Sequence, residues 1–205
     1  MLNDTGFDLW ADGYDRSVGL SDENGTYPFA GYRALLGQIY NEILSSGAKS
    51  VLDIGFGTAT LTARLYEQGI SIYGQDFSAR MLALAQEKMP KAALYQGDFT
   101  QGLVSALTQR RYDAIVATYS LHHLTDVQKV SFLPALLPLL RSGGCIYIGD
   151  VAFRTRDELD ACRAQAGDEW DADEIYFVYD ELHQALPALQ FQSVSPCAAL
   201  LTLRK

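Results

Sequence analysis

The run VLDIGFGTAT at residues 51–60 constrains this chain more than any other feature. An aliphatic-rich stretch leads into Gly55 and Gly57, separated by Phe56, and a helical pattern follows at once. A strand, a glycine turn and a helix N-terminus leave backbone N–H groups facing any bound anion or carboxylate, and the two glycines let a ligand approach the main chain. Where a third glycine often follows in such loops, this chain has Ala59. Nicotinamide cofactors, nucleoside triphosphates and sulfonium methyl donors all use loops of this kind, so the choice falls to the rest of the chain.

From residue 50 onward, short β-rich runs alternate with helical stretches, the pattern of a parallel sheet covered on both faces. Strands are expected at Ser50–Ile54, Ile70–Gln75, Ala93–Gln96, 112–120 and 145–150, the last following a turn at Gly143 and Gly144. Helices are expected over Thr58–Gln68, over 78–89 with Ser78 as N-cap, around 101–109, and from Thr125 and Asp126 to about Leu140, broken by Pro134 and Pro138. The segment FQSVSPCAALLTL supplies two more strands, at 190–195 and 198–203. It is too short for a crossover helix, so that pair is antiparallel. The expected fold is α/β: a Rossmann-like, doubly wound, seven-stranded sheet, mostly parallel with an antiparallel C-terminal strand. One domain over 1–205 is expected, because 205 residues with 48% apolar content fill one core and leave no room for two. It divides into an N-terminal cap segment at 1–48 with a helix near 31–46, a ligand-binding core at 50–150, and a charged insert at 152–175.

A net charge of −9 argues against nucleic acid and acidic membrane surfaces as partners. The run MLNDTGFDLWADGYD carries acids where a secretory signal carries basic residues, and no apolar run reaches the length of a membrane span. Cys145, Cys162 and Cys197 have neither an even number nor Cys-x-x-Cys spacing, which suggests no disulfide framework and a reducing cytoplasm.

Three acids sharpen the choice of ligand. Asp53 ends the first strand, and Asp76, 19 residues beyond Gly57, ends the second, where an acid accepts from ribose hydroxyls. Asp76 can equally cap the helix that begins after Ser78, and a nicotinamide dinucleotide and a sulfonium donor both pass this test. Asp98 ends the third strand in YQGDFT, placed to accept from an adenine amino group while Phe99 packs against the base. Together DIGFGT, the Asp76 acid, GDF and YDAIVATYSLHHL resemble the motifs of class I S-adenosylmethionine-dependent methyltransferases over about residues 50–150. The stretches FDLWADGYDRSVG, TYPFAGYR and AGDEWDADEIYFVYDEL extend the resemblance to the bacterial YrrT-like methyltransferases over nearly the whole length. The resemblance implies S-adenosylmethionine as cofactor, with Asp53, Gly55, Gly57, Asp76, Phe77, Asp98, Phe99 and Thr118 as its contacts.

Rival readings fare worse. No tyrosine is followed by lysine four places on, as a short-chain NAD reductase requires, and the phosphate-binding G-x-x-x-x-G-K-[ST] loop is absent. A protein that binds the donor without transferring methyl stays open, since methyl transfer asks little of side chains. The acceptor is expected to be a small molecule, the protein a monomer or homodimer. No Asn/Asp-Pro-Pro-Tyr motif follows the fourth strand, against base-amine methylation, and no carboxylates stand there for a magnesium site, so no metal is expected. His122 and His123 follow that strand close to the expected methyl position, where one can act as general base. Tyr14 can close over the donor's methionine part, and Tyr27 or Arg33 can meet an acceptor carboxylate. Asp150 and Trp170, with Asp168 and Glu169, are further acceptor candidates, the insert's acids and ring suiting a cation.

Overall fold

A computed structural model describes residues 25–205. Along the chain the elements are α1 (Tyr32–Ser45), β1 (Ser50–Ile54), α2 (Thr60–Glu67), β2 (Ser71–Asp76), α3 (Ala79–Lys88), β3 (Ala93–Gln96), α4 (Ser105–Thr108), β4 (Tyr112–Thr118), α5 (Asp126–Leu136), β5 (Leu140–Phe153), α6 (Arg156–Ala166), β6 (Phe177–Val178), α7 (Tyr179–Ala185), β7 (Gln190–Ser193) and β8 (Ala198–Arg204). The main sheet runs β3-β2-β1-β4-β5-β8-β7, with the two-residue β6 beside β5. β1 to β5 pair in parallel, β8 runs antiparallel to β5, and β7 antiparallel to β8. The sevenfold path and its antiparallel end follow the sequence reading, and β6 is an addition to it.

The central strands are buried on both faces, as parallel strands under helices must be. Two apolar clusters flank them. One packs α1, α2 and α3 on one face through Leu35, Ile39, Leu65 and Met89. The other packs α4, α5 and α7 on the opposite face through Leu107, Leu133, Leu136 and Leu182. α1 approaches closely because Gly149 lies beneath it: a Cβ there would stand 2.9 Å from Ile39 Cδ1. No helix among the described residues is long and apolar enough to cross a membrane.

Several boundaries differ from those expected. α2 starts at Thr60 because Ala59 is left-handed, φ 58°, and forms its N-cap. Gly143 and Gly144 do not turn the chain; they lie within β5, which starts at Leu140. Tyr112 pairs with Leu140 and Ala114 with Cys145, so residues 141–144 form an irregularity inside a continuous strand. α5 opens on a capping box between Thr125 and Gln128, carries Pro134 internally, and gives way after Leu136 to a 3₁₀ turn over Leu137–Leu139. The helix expected around 101–109 shrinks to α4. The insert's first residues extend β5, and its helix ends at Ala166, where Gly167 adopts φ 56°.

β1, β2 and β3 are laid outward in one direction and β4 and β5 in the other. The order reverses between β1 and β4, and the carboxyl edge at such a reversal is where open α/β sheets bind ligands.

Candidate active site

At that reversal lies a cavity of about 370 Å³, whose lining includes the end of β1, the glycine turn, Asp76, Phe99 and the turn after β4. The size falls within the range of small-ligand sites. Its floor depends on two glycines. Gly55 (φ 69°) donates its N–H to Gln75 O at 2.8 Å, and a Cβ there would come within 2.5 Å of Ser120 Cβ. Ser120 in turn donates through Oγ to Ile54 O at 2.8 Å, so the ends of β1 and β4 are held against each other. Gly57 (φ 51°) donates its N–H to Asp76 Oδ2 at 2.8 Å, while Asp76 Oδ1 accepts from Ser78 N at 2.9 Å.

Asp53 is buried in this floor. Its Oδ2 accepts from Thr62 Oγ1 at 2.8 Å, and its Oδ1 finds no hydrogen-bond partner among the described residues. Burial pushes its carboxyl up to about 7, against the lowering effect of the Thr62 hydrogen bond and with a smaller upward push from Asp76. An acid so placed favours a cationic partner, which would satisfy both the free oxygen and the charge.

The opposite wall is a polar corner. His122 is buried, and its Nδ1 lies 2.7 Å from Asp150 Oδ1 while its Nε2 lies 3.3 Å from Glu174 Oε1. Asp150, wholly buried, also accepts from Leu121 N at 3.1 Å and Val151 N at 2.8 Å. Glu174 Oε2 accepts from Tyr176 Oη at 2.7 Å. The ring of His123 stands 4.4 Å from that of His122, centroid to centroid. Burial pulls His122 down, but Asp150 and Glu174 outweigh it and leave the imidazole above its ordinary value. Burial and the neighbouring charge of His122 lower His123 to about 4. The donor atoms of His122, His123 and Glu174 lie within 4.8 Å of one another, a spacing open to a metal ion.

Aromatic rings make the third side. Tyr27 stacks on Trp170 at 5.0 Å, and Trp170 meets Tyr176 edge-on at 4.9 Å. Tyr27 and Tyr176 are joined through their hydroxyls, and Asp171 N donates to Tyr27 Oη at 3.0 Å. Phe29 and Tyr32 pack on Tyr119, at 5.1 and 5.2 Å. The segment before α1 and the insert therefore meet over the cavity.

Of the residues singled out from sequence, Tyr27, Asp53, Gly55, Gly57, Asp76, Phe77, Phe99, Thr118, His122 and His123 share this one lining. Four others stand elsewhere. Asp98 is exposed outside the lining, its Oδ1 accepting from Thr100 N at 2.8 Å as the cap of a 3₁₀ turn. Arg33 lines a second cavity with Arg64 and Lys88, because it projects from the outer side of α1. Asp150 and Trp170 are outside the lining and stand behind it, Asp150 against His122 and Trp170 against Tyr27. Tyr14 lies outside the described residues. Sequence reasoning missed Glu174, Asp171 and Ser120. Glu174 had a signal, standing directly before the β-rich run IYFV much as Asp76 and Asp98 stand beside their strands.

Comparison with known proteins agrees with this geometry. The family described as "Methyltransferase domain" matches residues 51–144. An uncharacterized methyltransferase of Anoxybacillus flavithermus is 36% identical over 184 residues, covering 90% of this chain and 84% of that one. One from Geobacillus thermodenitrificans is 38% identical over 164 residues, 78% and 73% of the two chains. Among solved structures, the DhpI–SAM–HEP complex has a TM-score of 0.68 at 20% identity over 96% of this chain and 92% of that one. Magnesium protoporphyrin IX methyltransferase from Synechocystis, with bound SAH, gives 0.67 at 16% over 86% and 84%. The structural likenesses carry the fold and the sequence relatives carry the family: the chain belongs to the methyltransferases and has the fold of the class I enzymes among them.

Proposed function

We propose that this methyltransferase acts on a small acceptor enclosed between the glycine floor and the His122–His123–Glu174 corner. The observation that carries the reading is that both walls line one cavity of about 370 Å³. In this reading Asp76 receives the ribose hydroxyls, exchanging its contact with Gly57 N for them. Phe77 and Phe99 flank the adenine, Thr118 lies beside the nucleoside, and Asp98 is reached by the base edge beyond Phe99. The donor's amino group goes to Asp53 Oδ1, the buried oxygen that wants a cation. Tyr14, from the segment outside the described residues, stays a candidate for closing over the methionine part.

The acceptor meets Tyr27, Glu169, Asp171 and the corner. No lysine or arginine is among the described lining residues, which favours a neutral or cationic acceptor over a carboxylate or phosphate. This replaces the pairing of an acceptor carboxylate with Arg33. The sulfonium is already activated: the nucleophile's lone pair forms the bond to the methyl carbon as the C–S bond breaks and its electrons return to sulfur. The protein's work is alignment and exclusion of water. A proton on the attacking atom passes to His123, whose imidazole is neutral at pH 7, while Asp150 fixes the ring of His122 beside it.

A thermal-shift comparison tests the donor half: S-adenosylmethionine and S-adenosylhomocysteine raise the melting temperature and NAD does not, since only a ligand of the native state stabilises it. Asp76→Ala abolishes the shift. For the acceptor half, the protein converts S-adenosylmethionine to S-adenosylhomocysteine in the presence of a small-molecule metabolite fraction. A shift with NAD alone, or turnover only with macromolecules, overturns the reading.

A further inference from the structure

The polar corner of the cavity brings three metal-ligating side chains together from two separate segments. Asp150 fixes the orientation of His122, its Oδ1 lying 2.7 Å from Nδ1, which directs Nε2 toward Glu174 Oε1, 3.3 Å away. Two ligands of a tetrahedral divalent ion, each about 2.0–2.1 Å from it, stand about 3.3 Å apart, so this pair already has the spacing of two ligands.

The surroundings agree. His123 brings the third donor atom, all three lying within 4.8 Å of one another, so a modest side-chain adjustment closes the set. The second atom of each well-placed ligand is engaged: His122 Nδ1 by a buried carboxylate, Glu174 Oε2 by the Tyr176 hydroxyl at 2.7 Å. Carboxylate-backed histidine and hydrogen-bonded carboxylate are the outer contacts that orient metal ligands. Ile175, next to Glu174, is anchored through its carbonyl by the buried Lys129 Nζ at 2.5 Å and through its N–H by His122 O at 2.9 Å, which holds the carboxylate in register with the rings.

We infer that His122, His123 and Glu174 form a binding site for a divalent transition-metal ion, with the remaining coordination position facing the acceptor end of the cavity. Two imidazoles and one carboxylate select ions such as Zn²⁺ or Co²⁺ over Mg²⁺ and Ca²⁺. Sequence reading found no metal because it sought carboxylates at one strand end, whereas this set is assembled from the turn after β4 and the segment before β6. The inference rests on the methyl-transfer reading and deepens it. It narrows the acceptor to a molecule whose nucleophilic oxygen, nitrogen or sulfur can coordinate a metal. Ion binding and proton uptake compete for the same His123 lone pair, so the loaded protein prepares its acceptor by coordination.

The test uses the full chain, stripped with chelator and titrated with Co²⁺ by visible absorption and with Zn²⁺ by calorimetry. One equivalent binds per chain, with d–d bands of a nitrogen- and oxygen-ligated Co²⁺, and Mg²⁺ does not compete. Glu174→Gln and His123→Ala abolish that binding, and Asp150→Asn weakens it by about 10- to 100-fold. In all three variants S-adenosylhomocysteine still raises the melting temperature, which shows them folded with the donor side intact. Absence of saturable binding, thiolate charge-transfer bands, or equal affinity in Glu174→Gln and His123→Ala would overturn the metal site. Loss of the S-adenosylhomocysteine shift in the unaltered protein would instead remove the methyl-transfer reading, leaving the metal result to stand or fall alone.

Discussion

Asp53 shows how a single residue couples ligand charge to stability. Its carboxyl sits near 7 in the folded protein and near 3.8 when exposed. Between those values the unfolded chain releases a proton that the folded chain keeps, so stability falls as pH rises from about 4 to 7, and the full cost is present above 7. That cost is on the order of 4 kcal/mol. Asp53→Asn, which keeps an oxygen for Thr62, should therefore match the wild type in stability near pH 4 and exceed it by a few kcal/mol at pH 8, by denaturant titration. The same substitution should erase a donor affinity that, in the wild type, strengthens through pH 7 as the carboxylate forms against the donor's ammonium. An equal stability offset at both pH values would refute this account. At this scale the sequence was legible where chemistry is local. Gly55, Asp76 and Phe99 could be placed from their distance to a strand end. Glu174 also stands beside a strand, but its partner His122 could not be read, because the insert that carries Glu174 to the turn after β4 follows a path no periodicity encodes.

At the scale of elements, the closeness of α1 to the sheet depends on Gly149 in β5. A side chain there meets Ile39 and Leu35 at 2.9 and 3.1 Å, within a core that has no slack. Gly149→Val should destabilise the protein by about 1–3 kcal/mol, the usual cost of overpacking. It should also weaken S-adenosylhomocysteine binding, because α1 carries Tyr32 and the segment before it carries Tyr27 and Phe29 into the cavity. Denaturant melts and calorimetry check both, and a variant with unchanged binding would show that α1 is uncoupled from the site. Helix starts were readable from side-chain caps, as at Ser78 and Thr125. They were misread where the backbone decides: Ala59 delays α2 by adopting a left-handed conformation uncommon for a residue with a side chain. The two glycines that read as a turn fall inside β5, in the stretch 141–144 where the register with β4 slips before pairing to both β4 and β8 resumes at Cys145.

For the whole molecule, the alternation of runs was enough to specify a doubly wound, mostly parallel sheet with an antiparallel end and a ligand edge at the carboxyl ends of its strands, but not the order of the strands. Chain handedness and short connections leave a few ways to wind five parallel strands. The acceptor was not legible, since the side chains proposed to meet it, Tyr27, His122 and His123, and Glu169, Asp171 and Glu174, come from three separated segments. The overall charge of −9 and the acids Glu169, Asp171 and Glu174 at the cavity give the molecule a field that draws cations. For a cationic acceptor, kcat/KM should fall several-fold between about 20 and 200 mM salt as the Debye length shortens. A neutral one should show little change, and steady-state rates across a salt series separate the two. A rise with salt would point to an anionic acceptor and away from the proposed polarity.

The reversal of strand order between β1 and β4 has a consequence for how such a protein can diversify. In the proposed reading the nucleoside is met mainly from the β1–β3 side, joined by Thr118 of β4, and the second reactant from the turn after β4 and from two peripheral stretches, before α1 and between α6 and β6. On that reading, exchange of residues 167–176 redirects chemistry to a new partner while the nucleoside half stays intact. Specificity can therefore change by replacing a short peripheral stretch instead of rebuilding the core.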